Sequence, residues 1–152
     1  MDKTRRRLLI GTGTGLLLAS WLPQSVFATR ASEEAFGSEA LDESIKKLIG
    51  DAEVIEDSEH IHIKAPTISE NGAVVPISVE VDMDNVDAIS LLVEKNPLPL
   101  TSSYKFHKAS DPYVSTRIKM LKTSDVIALV TADGKHYKAA ELVKVTIGGC
   151  GG

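Results

Sequence analysis

Gly148-Gly149-Cys150-Gly151-Gly152 is the segment of this sequence whose residue types point most directly to covalent chemistry. Cys150 is the only cysteine among the 152 residues. A thiolate is a nucleophile and a redox centre. Here the thiol stands between two pairs of glycines. Glycine has no Cβ and the widest backbone freedom, so local preference holds this stretch in neither helix nor strand. The sequence therefore predicts a thin flexible arm, Gly148, Gly149, Gly151 and Gly152, with the sulfur of Cys150 near its tip. At roughly 3.3–3.6 Å per residue, the three residues after Ile147 carry the sulfur about 10 Å beyond the last strand. An arm without side chains fits a narrow channel, so the thiol is expected to work inside other proteins.

Other uses of the cysteine fit less well. Burial as a small hydrophobe needs apolar surroundings, and glycines offer none. A structural zinc site needs several thiols or histidines together, and one thiol without histidines nearby builds none. A prenylation box needs three residues after the cysteine, and only two follow Cys150. An ordinary thiol, with a pKa near 8.5, is only a few per cent thiolate at neutral pH. No histidine or helix start adjoins Cys150 in sequence to change that. Such a thiol is idle on its own and reacts only where something else activates it.

The opposite end predicts where this happens. Thr4-Arg5-Arg6-Arg7-Leu8-Leu9 is a twin-arginine pattern, with Arg5 and Arg6 as its pair. An apolar stretch from Leu8 to Leu22 follows, interrupted by Gly11, Gly13 and Gly15. Val26-Phe27-Ala28 then supplies small residues where a signal peptidase reads. Together they describe an export signal over residues 1–28, with Ala31 a second cleavage candidate. The apolar run falls short of the ~20 residues a spanning helix needs, and its glycines weaken it further. The expectation is a folded protein delivered to the bacterial periplasm, with no membrane association once the signal is gone.

Removing residues 1–28 takes away four of the 17 Lys and Arg and one of the 21 Asp and Glu. The remainder carries 13 basic against 20 acidic residues, a net charge of −7. An acidic domain with no basic run is a poor nucleic-acid binder, so no nucleic-acid partner is expected. Residues 29–152 suffice for one domain with a real core and are too few for two. With a single cysteine in an oxidising compartment, an internal disulfide is impossible. Cys150 is free, modified or paired with another chain.

The elements that must position the arm follow from periodicity. Ser32 to Ile49 predicts a helix, with Phe36, Leu41, Ile45, Leu48 and Ile49 on one face, Ser32 as its start cap and Gly50 as its end. Residues 29–50 thus form an N-terminal helical segment. The period then changes to two. His60 to Lys64, Ile77 to Asp82, Val114 to Met120 and Val143 to Ile147 alternate as half-buried strands do. Ala88 to Val93 and Val126 to Val130 are continuously apolar, as strands of a sandwich interior are. Glu70-Asn71-Gly72, Asp84-Asn85, Asn96-Pro97, Ser110-Asp111-Pro112 and Asp133-Gly134 separate them as turns. About seven short strands at this spacing predict a mainly β fold, an antiparallel, Ig-like β-sandwich over residues 51–147, with the arm at 148–152. Pro76 lies inside a strand and is expected at an edge or bulge.

The remaining candidates are weaker. His60 and His62 share a strand face and could ligate a metal, but such a pair is more often an exposed polar face, the reading adopted here. His107 and His136 are isolated. The run from Leu91 to Leu100, a strand leading into the double-proline apolar stretch that ends in Leu98-Pro99-Leu100, reads as core plus linker rather than as a sticky surface. No Ser-His-Asp spacing, paired-carboxylate motif or phosphate loop is present. Neither a metal nor a cofactor is expected, and the protein is not expected to be an enzyme.

The ending Val143-Lys144-Val145-Thr146-Ile147-Gly148-Gly149-Cys150-Gly151-Gly152 resembles the C-terminus of the SoxY family, the sulfur-carrier subunit of the bacterial thiosulfate-oxidising Sox system. Lys64-Ala65-Pro66, the run from Glu70 to Pro76, Val93-Glu94-Lys95-Asn96-Pro97 and the run from Val114 to Met120 are similar to that family too, as is the twin-arginine leader. The resemblance spans nearly the whole chain. It implies an Ig-like β-sandwich with an N-terminal helical segment, paired with SoxZ, a second small β-sandwich. It implies that Cys150 is the covalent attachment site. A haem enzyme, SoxAX, couples thiosulfate to the thiol as a cysteine S-thiosulfonate. SoxB releases sulfate by hydrolysis, and SoxCD oxidises the remaining sulfur where it is present. The chain itself is then a covalent substrate of these enzymes.

Three readings from other classes compete. A ubiquitin-like sulfur carrier also ends in Gly-Gly and works as a C-terminal thiocarboxylate. That chemistry needs ATP, which the periplasm lacks, and leaves Cys150 idle. A structural protein would staple two copies as a disulfide homodimer through Cys150. A thiol enzyme would need a base or orienting residue, and none is visible.

Overall fold

A computed structural model describes residues 33–107 and 110–146. The export signal with Arg5 and Arg6, and the arm with Gly148, Gly149, Cys150, Gly151 and Gly152, lie outside the described residues. The described chain is mainly β, nine strands in two facing sheets with a short helical segment before them.

The helical segment is in two pieces rather than one. A single turn spans 33–36 and the helix proper, α1, spans Leu41–Ile49. Between them Gly37 and Ser38 close tight turns onto the Glu34 and Ala35 carbonyls. The Ser38 hydroxyl donates to the Glu34 carbonyl as well, competing with helical continuation. The break puts Phe36 out of phase with α1, leaving it 39% exposed instead of on the core face. Ala40 starts α1 without a side-chain cap, while Gly50 ends it as expected, at φ 71° with its N–H on the Lys46 carbonyl. Asp42 and Glu43 in the first turn and Lys46 and Lys47 in the last complement the helix dipole.

The strands are β1 (Val54–Glu56), β2 (Ile61–Lys64), β3 (Ile68–Ser69), β4 (Val75–Val81), β5 (Val86–Val93), β6 (Leu100–Lys105), β7 (Tyr113–Ile118), β8 (Ser124–Ala132) and β9 (Lys135–Val145). The larger sheet runs β1-β9-β8-β5-β6, with β3 also on β9, and the smaller runs β2-β4-β7. β1 and β3 raise the count above seven. At three and two residues they are too short to show a period.

The main core lies between the sheets. Val75, Ile77, Val79 and Val81 of β4 alternate inward to meet Ile89, Leu91 and Val93 of β5 and Val126, Ala128 and Val130 of β8. A second core explains why β5 and β8 are continuously apolar. Leu92, Ile127 and Leu129 point to the opposite face of the larger sheet, where Leu41, Ile45, Leu48 and Ile49 of α1 cover them. These strands are buried on both faces.

The turns follow their residues. Asp133 and Gly134 both take positive φ, 49° and 71°, as a two-residue hairpin between β8 and β9 requires. Pro76 sits in β4, the central strand of its sheet, but β2 stops at Lys64 opposite Ser78. Pro76 therefore has a strand neighbour only on the β7 side, where it pairs with Arg117, and locally occupies an edge.

Candidate functional site

β9 carries the chain toward Cys150 and is the longest strand, with 11 residues. β8 pairs with it from Lys135 to Val143. On its other side β1 lies parallel to its first half and β3 parallel to its end, with Ile68 opposite Lys144 and Ser69 opposite Val145. The chain leaves the described residues at Thr146, four residues before Cys150.

That exit is fastened from both sides. On one side the Lys144 N–H donates to the Thr67 carbonyl (3.0 Å) and the Thr146 N–H to the Ser69 carbonyl (3.1 Å). The Thr146 hydroxyl donates to the Glu70 carbonyl at 3.2 Å. On the other side the Val145 N–H donates to Thr123 Oγ1 at 3.0 Å. Exposed backbone at the end of a strand normally frays, and these bonds oppose fraying to the last described residue.

The fastening extends into the neighbouring loops. The Met120 N–H donates to the Gly72 carbonyl at 2.7 Å. The Asn96 amide donates to the Lys119 carbonyl (2.7 Å) and accepts from the Leu121 N–H (3.1 Å). The Lys95 N–H donates to Ser124 Oγ at 3.0 Å. Loops 70–74, 94–99 and 119–123 are thus tied to one another and to the end of β9. They form a continuous platform at the root of the arm.

Other sequence candidates lie elsewhere. His60 and His62 are both exposed, as expected. His60 Nδ1 lies 3.0 Å from Asp57 Oδ2, and the carboxylate raises its pKa above the ordinary histidine value. His136 on β9 lies 3.0 Å from Thr131 Oγ1, and burial lowers its pKa. His107 lies in the loop between β6 and β7, so the histidines do not gather into one site. Leu98-Pro99-Leu100 divides: Pro99 and Leu100 are buried, and Leu98 is 49% exposed. Thr67 and Thr123 were not singled out by the sequence, which marked Asn96 only as a turn residue and Thr146 only as part of the last strand. Each is an ordinary polar residue, and only the strand leading into the glycines hinted at where the arm is rooted.

A two-sheet β-sandwich whose last strand is anchored to Thr146 and continues in sequence into a glycine-flanked cysteine defines a β domain with a lone thiol beyond its last strand. The family model described as "Sulfur oxidation protein SoxY" matches residues 45–150, a span that includes Cys150. The chain belongs to the SoxY family. Among solved structures it is similar to the sulfur carrier protein SoxY from Chlorobium limicola f thiosulfatophilum. The identity is 38% and the TM-score 0.65, covering 70% of this chain and 96% of that one. A superoxide reductase (neelaredoxin) from Ignicoccus hospitalis shares the fold at 18% identity and TM-score 0.52, over 57% of this chain and 80% of that one. No curated protein matches the chain.

Proposed function

We propose that this protein is a periplasmic carrier of thiosulfate-derived sulfur, holding its cargo covalently on Cys150. The observation that carries the reading is the family match running through Cys150, together with a solved relative that is a sulfur carrier. The tied end of β9 supports it, because a carrier needs a firm root beneath a movable tip.

Loading joins the Cys150 sulfur to the sulfane sulfur of thiosulfate. The thiol proton is released and two electrons pass to the haem enzyme SoxAX. The product is a cysteine S-thiosulfonate. In the SoxB step water attacks the terminal sulfonate, sulfate leaves and a persulfide remains on Cys150. SoxCD then oxidises that sulfur where it is present. The chain supplies the thiol, the glycines at 148, 149, 151 and 152 supply reach, and SoxZ completes the carrier as a heterodimer. Covalent attachment also suits an acidic domain, which has little attraction for a free dianion.

The test is intact mass after incubation with thiosulfate and SoxAX. The expected gain is one thiosulfate-derived adduct per chain, removed by a reducing thiol and absent from Cys150→Ser. A Cys150→Ser protein that still gains the adduct would overturn the assignment.

A further inference from the structure

The loops of the sandwich divide by charge. At the end opposite the root of the arm, loops 57–60, 82–85, 106–112 and 133–134 contain Asp57, Glu59, Asp82, Asp84, Asp111 and Asp133. Among their described residues there is no lysine or arginine; Lys108 lies outside the described residues. The platform at the root is the reverse. Lys95, Lys119, Lys122 and Lys144 surround it, against Glu70, Glu94 and, at the start of β8, Asp125. All four lysines are exposed. The ion pairs among the described residues involve Lys46, Lys47, His60, Lys64 and Lys138, and none of these four. A protein with an excess of carboxylates thus gathers four exposed lysines, unpaired among the described residues, around the end where β9 runs on toward its cysteine, while Lys105 and Lys135 flank the acidic loops at the other end.

Apolar surface lies among these cations. Ile68, Val74 and Leu98 are 57%, 50% and 49% exposed. A cleft of about 350 Å³ opens beside them, lined by Leu98, Arg117, Lys119 and Ser102. Ser102 Oγ is buried there without a hydrogen-bond partner. Apolar patches ringed by charge mark protein–protein contacts.

We infer that the arm-root platform is a docking surface for proteins whose channel mouths are rimmed with carboxylates. The inference rests on the carrier reading above and adds what the receiving proteins look like. The separation of charge gives the domain a dipole whose positive end leads the arm. Approaching a negative mouth, the carrier turns arm-first before contact. Val74 and Leu98 then supply apolar contact. The domain as a whole is acidic, so the local charge at this end, not the total, directs the encounter.

The test measures loading of Cys150 by SoxAX as a function of carrier concentration, for the full mature carrier with its SoxZ partner. Raising ionic strength from about 20 to about 200 mM is expected to raise KM for the carrier about tenfold with kcat little changed, because steering is screened. At low salt the double reversal Lys119→Glu, Lys122→Glu is expected to do the same. The reversal Lys105→Glu, Lys135→Glu at the opposite end is expected to change KM less than twofold. Alkylation of Cys150 by neutral iodoacetamide should keep its wild-type rate in every variant, showing the thiol intact. A KM independent of salt overturns the proposal, as does an equal effect of the two reversals, which would mean that net charge alone matters. Loading of a Cys150→Ser carrier would instead overturn the carrier reading, so the two failures are distinct.

Discussion

Thr123 and Val145 hold each other by both backbone groups of the valine. Thr123 Oγ1 accepts from the Val145 N–H at 3.0 Å, and the same hydroxyl donates back to the Val145 carbonyl at 3.5 Å. One side chain from the loop before β8 thus closes the end of β9. Thr123→Val keeps the shape and removes both bonds. We expect a loss of about 0.5–1.5 kcal/mol, the net worth of a typical hydrogen bond. The distinctive outcome is local: faster amide exchange at Val145 and Thr146, and a sharper nitroxide spectrum from a spin label on Cys150. An unchanged spectrum would show that the arm does not sense its root.

The arm itself tests differently. Val at positions 149 and 151 restricts the backbone and adds width where glycine has neither limit. Turnover by each partner enzyme should fall at least about tenfold, the rate change of a 1.36 kcal/mol barrier. Thermal unfolding should shift by no more than a degree or two, because these residues lie beyond the core strands. Normal rates with all partners would refute the narrow-channel picture.

The helix over the larger sheet is held by few residues, so one truncation should expose its contribution. Leu92 is fully buried in the second core, under α1. Leu92→Ala should cost about 2–5 kcal/mol in urea denaturation, the range for a buried leucine. Phe36→Ala, at a partly exposed position, should cost under about 1 kcal/mol.

His60 and Asp57 predict a pH signature at the acidic end. The Asp57 carboxylate raises the His60 pKa above 6.5, mainly by hydrogen bonding to the ring and then by charge. The His60 backbone N–H chiefly lowers the Asp57 pKa below 3.8. The histidine's contribution to stability is fully present below its unfolded pKa and is lost as pH rises through the raised folded value. The aspartate's is present above its unfolded pKa and is lost as pH falls through the lowered folded value. Their pairing therefore helps most between about 3.8 and 6.5. An NMR titration should place the His60 midpoint above 6.5, and Asp57→Asn should return it toward that value. A midpoint unmoved by the substitution would remove the pair from the account.

Air oxidation offers a simple test of the thiol. With one cysteine per chain, the isolated protein should form Cys150–Cys150 dimers that a mild thiol reverses, with carrier activity returning. Non-reducing electrophoresis beside an activity assay follows both. A titratable monomer after days in air would mean that Cys150 is shielded.

Much of the fold was legible because burial writes a period into sequence. β4 alternates along its inward Val75, Ile77, Val79 and Val81, and Gly50 and Asp133-Gly134 marked their boundaries by conformations that few residues adopt. β1 and β3 were not legible, because three residues do not define a period and their pairing depends on β9, some 80 residues away. The continuously apolar β5 and β8 announced burial without saying that a helix covers their second face. Around the candidate site, the cysteine and glycines were plain in the sequence. The clamp of Thr67, Ser69, Thr123 and Thr146 and the partition of charged loops depend on which loops the topology brings to one end.

The parallel placement of β3 beside the end of β9 also bears on force. A pull on the chain beyond Thr146 that runs along the axis of β9 loads the strand lengthwise. Its ladders to β8 and β3 are then loaded sideways to their hydrogen bonds, many at once, and not peeled one after another. Zipped from the edge, such a strand would come away bond by bond. Tugged lengthwise, it acts as a tether, and the sandwich yields no slack to such a pull.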